Sequence, residues 1–141
     1  MELKRVVVTG LGAITPLGNT VSETWDGLIN GKSGAGPITH FDASKFKTLF
    51  ACEVKNFDPN QVMDRKEARK CDRYSLLAIG AAKQAVEDTG MDLENEDKNR
   101  IGVIFAAGIG GIKTFEEEVT AYAKTKDTIG PKFNPFFIPK M

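Results

Sequence analysis

Two short runs of the chain are almost continuously apolar, and three longer ones are apolar only at every third or fourth position. Arg5-Val6-Val7-Val8-Thr9, β-branched and closed by Gly10, has the character of a strand buried on both faces of a parallel sheet. Ile101-Gly102-Val103-Ile104-Phe105-Ala106-Ala107, followed by the sharp turn Gly108-Ile109-Gly110-Gly111, reads the same way. The first helical run opens at Thr20, where Glu23 three residues on completes a capping box. Trp25, Leu28 and Ile29 form its apolar stripe, and Gly31 stands in the C′ position. In the second, Tyr74, Leu77, Ala78, Ala81, Ala82, Ala85 and Val86 keep helical spacing over three turns until Gly90. Its face is dominated by alanine, which lets a helix approach its neighbour closely. The third run predicts a helix starting at Thr114, capped through Glu117, with Phe115, Val119 and Tyr122 facing inward.

Residues 33–60 lie between the first two helices and contain Gly34, Gly36, Pro37 and Pro59. They predict an irregular excursion with a short strand near 50–54, and Phe41, Phe46, Phe50 and Phe57 give it apolar groups to pack. The order strand, helix, helix, strand, turn, helix is α/β, with parallel strands joined by right-handed crossovers. Two strands are too few for a complete sheet. The last residues crowd together Phe133, Phe136, Phe137 and Ile138, a tail that a folded domain rarely leaves in water. Either a partner covers it or the polypeptide is longer than 141 residues, and the second is the expectation.

Composition narrows the function. Apolar residues make up 41% and charged residues 27%, the proportions of a soluble globular protein. Nineteen basic residues balance nineteen acidic ones, so net charge favours neither nucleic acid nor a membrane surface. Cys52 and Cys71 stand far apart with no CxxC pair and His40 is the sole histidine, so no metal site is expected. The two thiols read as reduced, partly buried and structural, in a cytoplasmic protein.

The glycines after the first strand invite a nucleotide reading, which fails on inspection. A dinucleotide fingerprint needs G-x-G-x-x-G; Gly10 and Gly12 fit, but Thr15 holds the third place and Pro16 follows it. The helix begins near Thr20, too late to present its N-terminus to a pyrophosphate. Gly108-Ile109-Gly110-Gly111 lacks the lysine and hydroxyl pair of a P-loop. The remaining explanation is that glycine lets the chain turn tightly, and no cofactor is expected. A nicotinamide-dependent reductase is disfavoured on the same grounds.

One charged feature stands out. Arg65-Lys66-Glu67-Ala68-Arg69-Lys70, with Arg73, is the densest basic stretch, and on a single helix Lys66, Arg69, Lys70 and Arg73 would share a face. A solvated helix surface explains it, and so does a docking edge for an acidic partner.

Five segments in register, "RVVVTGLGAITPLGNTVSETWDGLINGKSG", "FDASKF", "DRKEARKCDRY", "GVIFAAGIGG" and "NPFFIPKM", resemble the N-terminal part of the β-ketoacyl-[acyl carrier protein] synthases, nearest their elongating synthase II branch. The resemblance implies a thiolase-like fold of layered α-β-α-β-α architecture, of which this is the first part of the N-terminal half. It implies a homodimer in the intact enzyme, and acyl- and malonyl-loaded acyl carrier protein as partners. It also implies decarboxylative condensation, in which a cysteine takes the acyl group and two histidines with a lysine assist attack by the malonyl-derived carbanion. No residue of this chain matches those catalytic motifs, so no catalytic residue is assigned and the segment alone is expected to be inactive. By resemblance, Ile109 lies beside the acyl chain, and Phe137 and Ile138 lie near the pocket and the dimer seam. Lys66, Arg69 and Lys70 receive the carrier protein, and Lys132 falls where the family tends to be basic. A non-catalytic module that binds carrier protein through the basic helix is the alternative.

Overall fold

In the computed structural model, which describes residues 3–128, 130 and 134–140, Thr20 opens the first helix, α1 (Val21–Ile29), through its side chain. The Thr20 hydroxyl accepts the Glu23 N–H at 3.1 Å. The Glu23 carboxylate reaches back to the N–H of Asn19 at 2.7 Å, so the expected box closes one residue further out. At the other end Gly31 takes φ +60°, its N–H bonds the carbonyl of Leu28, and the N–H of Lys32 bonds that of Gly27. This is the Schellman arrangement that the glycine predicts. The stripe does not behave as expected: Trp25 is 63% exposed, and Leu28 and Ile29 are open as well. What α1 buries is Gly27, where an added Cβ would stand 3.1 Å from Leu17 Cβ.

The chain divides into two units, one formed by residues up to Phe57 with Gly80–Glu96, the other by Asp58–Ile79 with the residues from Asp97 onward. The helix α3 (Arg73–Thr89) contributes to both, and Gly90 closes it at φ +63°. In the first unit the segment around Gly10 and Gly12 runs against the α3 backbone. A Cβ on Gly10 would lie 2.3 Å from the Ala85 carbonyl oxygen, and one on Gly12 would lie 1.9 Å from that of Ala81. Neither glycine has a positive φ. They are needed for close approach, and the tight-turn explanation is corrected accordingly. The alanine face of α3 does what its composition predicts. Two residues of extended chain and four of helix cover nearly the same distance. Accordingly Leu11 N–H donates to Asp88 at 2.9 Å and Ala13 N–H to Gln84 at 3.2 Å.

The excursion over residues 33–60 holds a minimal antiparallel ladder, β1 (Gly36–Pro37) with β2 (Phe50–Ala51). The strand expected over 50–54 is thus two residues long. The Glu53 carboxylate beyond it takes the N–H and hydroxyl of Thr39 at 3.0 and 2.6 Å. Phe41 and Phe46 meet edge to face at 5.5 Å.

Neither predicted central strand forms a ladder among the described residues. Val6, Val7 and Val8 lie open to solvent, as do Val103, Phe105 and Ile104, the last 97% exposed. A parallel strand draws all its hydrogen bonds from neighbours and its burial from layers on both faces. The described segments supply neither.

In the second unit α2 (Arg65–Ala68) is capped by Asp64, whose carboxylate accepts the N–H of Lys66 at 2.8 Å. The third long helix, α4, spans Ile112–Thr125. It starts two residues before the expected Thr114, with Gly111 as an N-cap that offers no side-chain bond. The expected Thr114–Glu117 box is therefore absent. Thr114 is instead one of the most buried described residues, and its hydroxyl donates to the Asp72 carboxylate. A short helix, α5 (Phe137–Lys140), follows. Ala43, Ala68 and Leu76 are the buried hydrophobic side chains among the described residues, so small groups dominate the interior.

Candidate functional site

The basic stretch is a broken turn. α2 ends at Ala68, Arg69 is its C-cap, and the next turn tightens through Lys70 N–H to the Glu67 carbonyl and Cys71 N–H to that of Ala68. Arg73 begins α3 after this break, so the single helical face expected to carry Lys66, Arg69, Lys70 and Arg73 does not exist. Lys66, Arg69 and Lys70 stay together on one exposed turn. The Lys70 ammonium donates to Glu67 at 2.6 Å; that hydrogen bond, reinforced by the Glu67 charge, raises its pKa above the ordinary lysine value. Lys66 and Arg69 make no side-chain ion pair among the described residues, so their charges face water. Lys132 lies outside the described residues.

The apolar candidates sit at the two ends of the segment that α4 organises. Ile109 is 74% exposed on the turn that precedes the helix, and Gly110 beside it takes φ +67°. Phe137 opens α5 and packs its ring on that of Phe115 of α4 at 6.0 Å. Ile138, next to it, is 81% exposed. The Glu118 carboxylate braces this end, taking the backbone N–H of Asn134 at 3.2 Å and its side-chain amide at 3.1 Å. The described residues enclose neither Ile109 nor Ile138. Asp72, Glu118 and Asn134 were not singled out by the sequence, and Thr114 was singled out only as a helix cap. Their bonds cross 42 and 16 residues, and no local pattern announces such partners.

The glycine segment is packed too closely on α3 to cradle a phosphate. Carbonyl oxygens of Ala81 and Ala85 face Gly12 and Gly10, and the amides of Leu11 and Ala13 are taken by Asp88 and Gln84, respectively. An anion there would meet a carboxylate and two carbonyls. Cys52 is exposed and Cys71 half-buried, which corrects the expectation that both are partly buried. No cluster of metal-ligating side chains occurs among the described residues. A cavity of about 390 Å³ in the first unit is lined by Pro16, Asn19, Glu23, Lys32 and Lys55 among others, none of them expected to act.

The family described as "Beta-ketoacyl synthase, N-terminal domain" matches residues 3–141. The chain is 46% identical over its full length to the 3-oxoacyl-[acyl-carrier-protein] synthase 2 of Synechocystis sp. and 48% identical over 99% of it to that of Coxiella burnetii. It spans about a third of the length of each, 33% in both cases. Among solved structures, a type II polyketide ketosynthase in complex with its acyl carrier protein matches 98% of the chain at 28% identity and a TM-score of 0.77. It is itself covered to 35%. The ishigamide ketosynthase/chain length factor matches 95% of the chain, also at 28% identity, with a TM-score of 0.74 and 33% of its own length covered. These neighbours carry the thiolase-like fold, so the expected fold class holds although the central ladders are open. A match that runs from residue 3 to residue 141 leaves no part of the described chain unaccounted for, and the chain belongs to the β-ketoacyl synthase family.

Proposed function

We propose that this chain forms the N-terminal part of a cytoplasmic 3-oxoacyl-[acyl carrier protein] synthase of fatty acid biosynthesis, residues 1–141 being an incomplete portion of its N-terminal domain. The observation that carries this reading is the identity of nearly one half, spread over the whole chain, with synthases of that name. In the reaction a thiolate displaces carrier-protein thiol from an acyl thioester. Malonyl-carrier protein then loses carbon dioxide, and the carbanion left behind attacks the enzyme thioester, releasing the thiolate and a chain two carbons longer. Neither Cys52, Cys71 nor His40 is assigned a part in these bond changes.

The chain contributes recognition. Lys66, Arg69, Lys70 and Lys132 receive the acidic carrier protein, where exposed cations raise the encounter rate more than the final affinity. Ile109, Phe137 and Ile138 line the acyl chain near the seam of a homodimer, a movable apolar side chain on a glycine turn being suited to gate a narrow apolar space. The open segments at Val6–Val8 and Val103–Phe105 are strands of a layered sheet that the remainder of the enzyme completes.

Titration calorimetry of acyl carrier protein against the chain and its Lys66→Glu/Arg69→Glu variant tests the docking surface. The expected result is a rise in Kd of about tenfold at low ionic strength that largely vanishes at about 0.5 M salt. A Kd unchanged at low salt removes these residues from the interface. A hybrid in which this chain replaces the matched third of the Synechocystis enzyme tests the activity, with chain elongation expected. A folded, dimeric hybrid that binds carrier protein without condensing would favour a binding module.

A further inference from the structure

The turn that carries Ile109 has little of its own to hold it in place. Gly108 has open space around it, Gly110 takes φ +67°, and the Gly111 cap of α4 lacks a side-chain bond. Three residues into the second unit's α4, however, Thr114 is 4% exposed and its hydroxyl donates to one carboxylate oxygen of Asp72. The other carboxylate oxygen accepts the N–H of Tyr74 at 3.4 Å, and the Asp72 carbonyl accepts that of Leu76 at 3.2 Å. Asp72 is thus fixed to the start of α3. One residue back, Cys71 N–H bonds the Ala68 carbonyl, which closes the basic turn. On the α4 side, Phe115 N–H bonds the Gly111 carbonyl and Ile112 N–H that of Gly110. Hydrogen bonds and the short stretches of backbone between them therefore join the turn of Lys66–Lys70 to the turn of Ile109, with the part-buried Thr114–Asp72 pair linking α4 to the residue before α3.

We propose that the Thr114–Asp72 hydrogen bond is a positioning device, which holds the Gly108–Gly111 turn in a fixed place relative to Lys66, Arg69 and Lys70 and thereby sets which acyl lengths Ile109 admits. Its last step rests on the synthase reading above; the mechanical step does not. Because α4 also seats Phe137 through Phe115 and Asn134 through Glu118, releasing its first turn loosens both sides of the proposed apolar site. A valine at 114 keeps the shape and loses the hydroxyl, whereas a serine keeps the hydroxyl and loses the methyl, so the two separate positioning from packing.

Hydrogen–deuterium exchange on the chain tests the mechanical step. In Thr114→Val the amides of Ile112 and Phe115, which bond the carbonyls of Gly110 and Gly111, should exchange about tenfold faster or more, as loss of the hydroxyl's bond to the Asp72 carboxylate requires. Those of Gln84–Thr89 should be unchanged, and Thr114→Ser should behave as the parent. Equal exchange in Thr114→Val and the parent, or equally fast exchange in the serine and valine variants, overturns the proposal. The hybrid with the Synechocystis enzyme tests the consequence. Thr114→Val should change the ratio of rates for long and short acyl groups, with Kd for carrier protein unaltered, and Ile109→Phe, expected on the same reading to shorten accepted chains, is run beside it. An active hybrid whose ratio ignores Thr114→Val defeats the inference and leaves the synthase reading standing. A folded hybrid that neither binds carrier protein nor condenses defeats the synthase reading, and the exchange experiment still decides the positioning role.

Discussion

Gly12 shows how a residue can be read correctly as important and wrongly as to cause. The sequence marks it as a glycine after a strand, which suggests a phosphate loop or a tight turn. The structure places the Ala81 carbonyl where its Cβ would be, so the constraint comes from a helix about seventy residues away. Gly12→Ala should therefore destabilise the chain by about 2 kcal/mol or more, because neither backbone can retreat cheaply. Gly102→Ala, with open space around it, should stay within about 0.5 kcal/mol of the parent. Urea titrations of the two variants check this, and equal midpoints would remove the close-packing explanation. Gly31 is the opposite case: its φ of +60° was legible because a helix C-terminus is a local event.

Local events also made whole elements legible. The Thr20 cap and the Schellman end of α1 were set by residues within one turn of each boundary. Thr20→Ala should cost about 1 kcal/mol, seen as a lower thermal midpoint with reduced helical signal; an unchanged midpoint would mean that Asn19 or solvent satisfies the first turn equally well. Helix α4 shows the limit of this kind of reading. Thr114 and Glu117 have the spacing of a capping box, but the Thr114 hydroxyl is committed to Asp72 and the helix starts earlier. The two central strands mark the limit from the other side. Their apolar runs were plain, but a ladder is a property of at least two segments, and the described chain pairs only Gly36–Pro37 with Phe50–Ala51.

At the scale of the molecule, three exposed carboxylates and one exposed lysine have partners that favour their charged forms. The side-chain hydrogen bond from Thr39, then its backbone N–H, holds the Glu53 carboxyl below its ordinary pKa. A hydrogen bond and the charge of Lys32 do so for Asp26, and the N–H of Ser44 does so for Asp42. A carboxylate lowered on folding contributes stability that is present above its unfolded pKa and lost as pH falls through the folded value. Lys70, raised by Glu67, contributes stability present below its unfolded pKa and lost as pH rises through the folded one. The urea midpoint should therefore hold at neutrality, fall as pH drops below the ordinary carboxylate range, and fall again as pH rises past the ordinary lysine range. Glu53→Gln should flatten the acid limb, whereas an acid limb identical to the parent's would show that the Thr39 tether adds nothing. No helix among the described residues is long and apolar enough to cross a membrane.

The sequence by itself determined the three long helices, the caps of α1, the alanine face of α3, the cluster of basic residues and the apolar turn, because each depends on residues within about a helical turn of one another. It also determined the family, through segments whose order and identity survive whatever surrounds them. Only the tertiary structure decided that Gly10 and Gly12 serve helix contact, that the stripe of Trp25, Leu28 and Ile29 stays open, and that Thr114 answers to Asp72. Those outcomes depend on which distant segment arrives beside each residue. A one-dimensional pattern carries the demand for a partner but not the partner's identity.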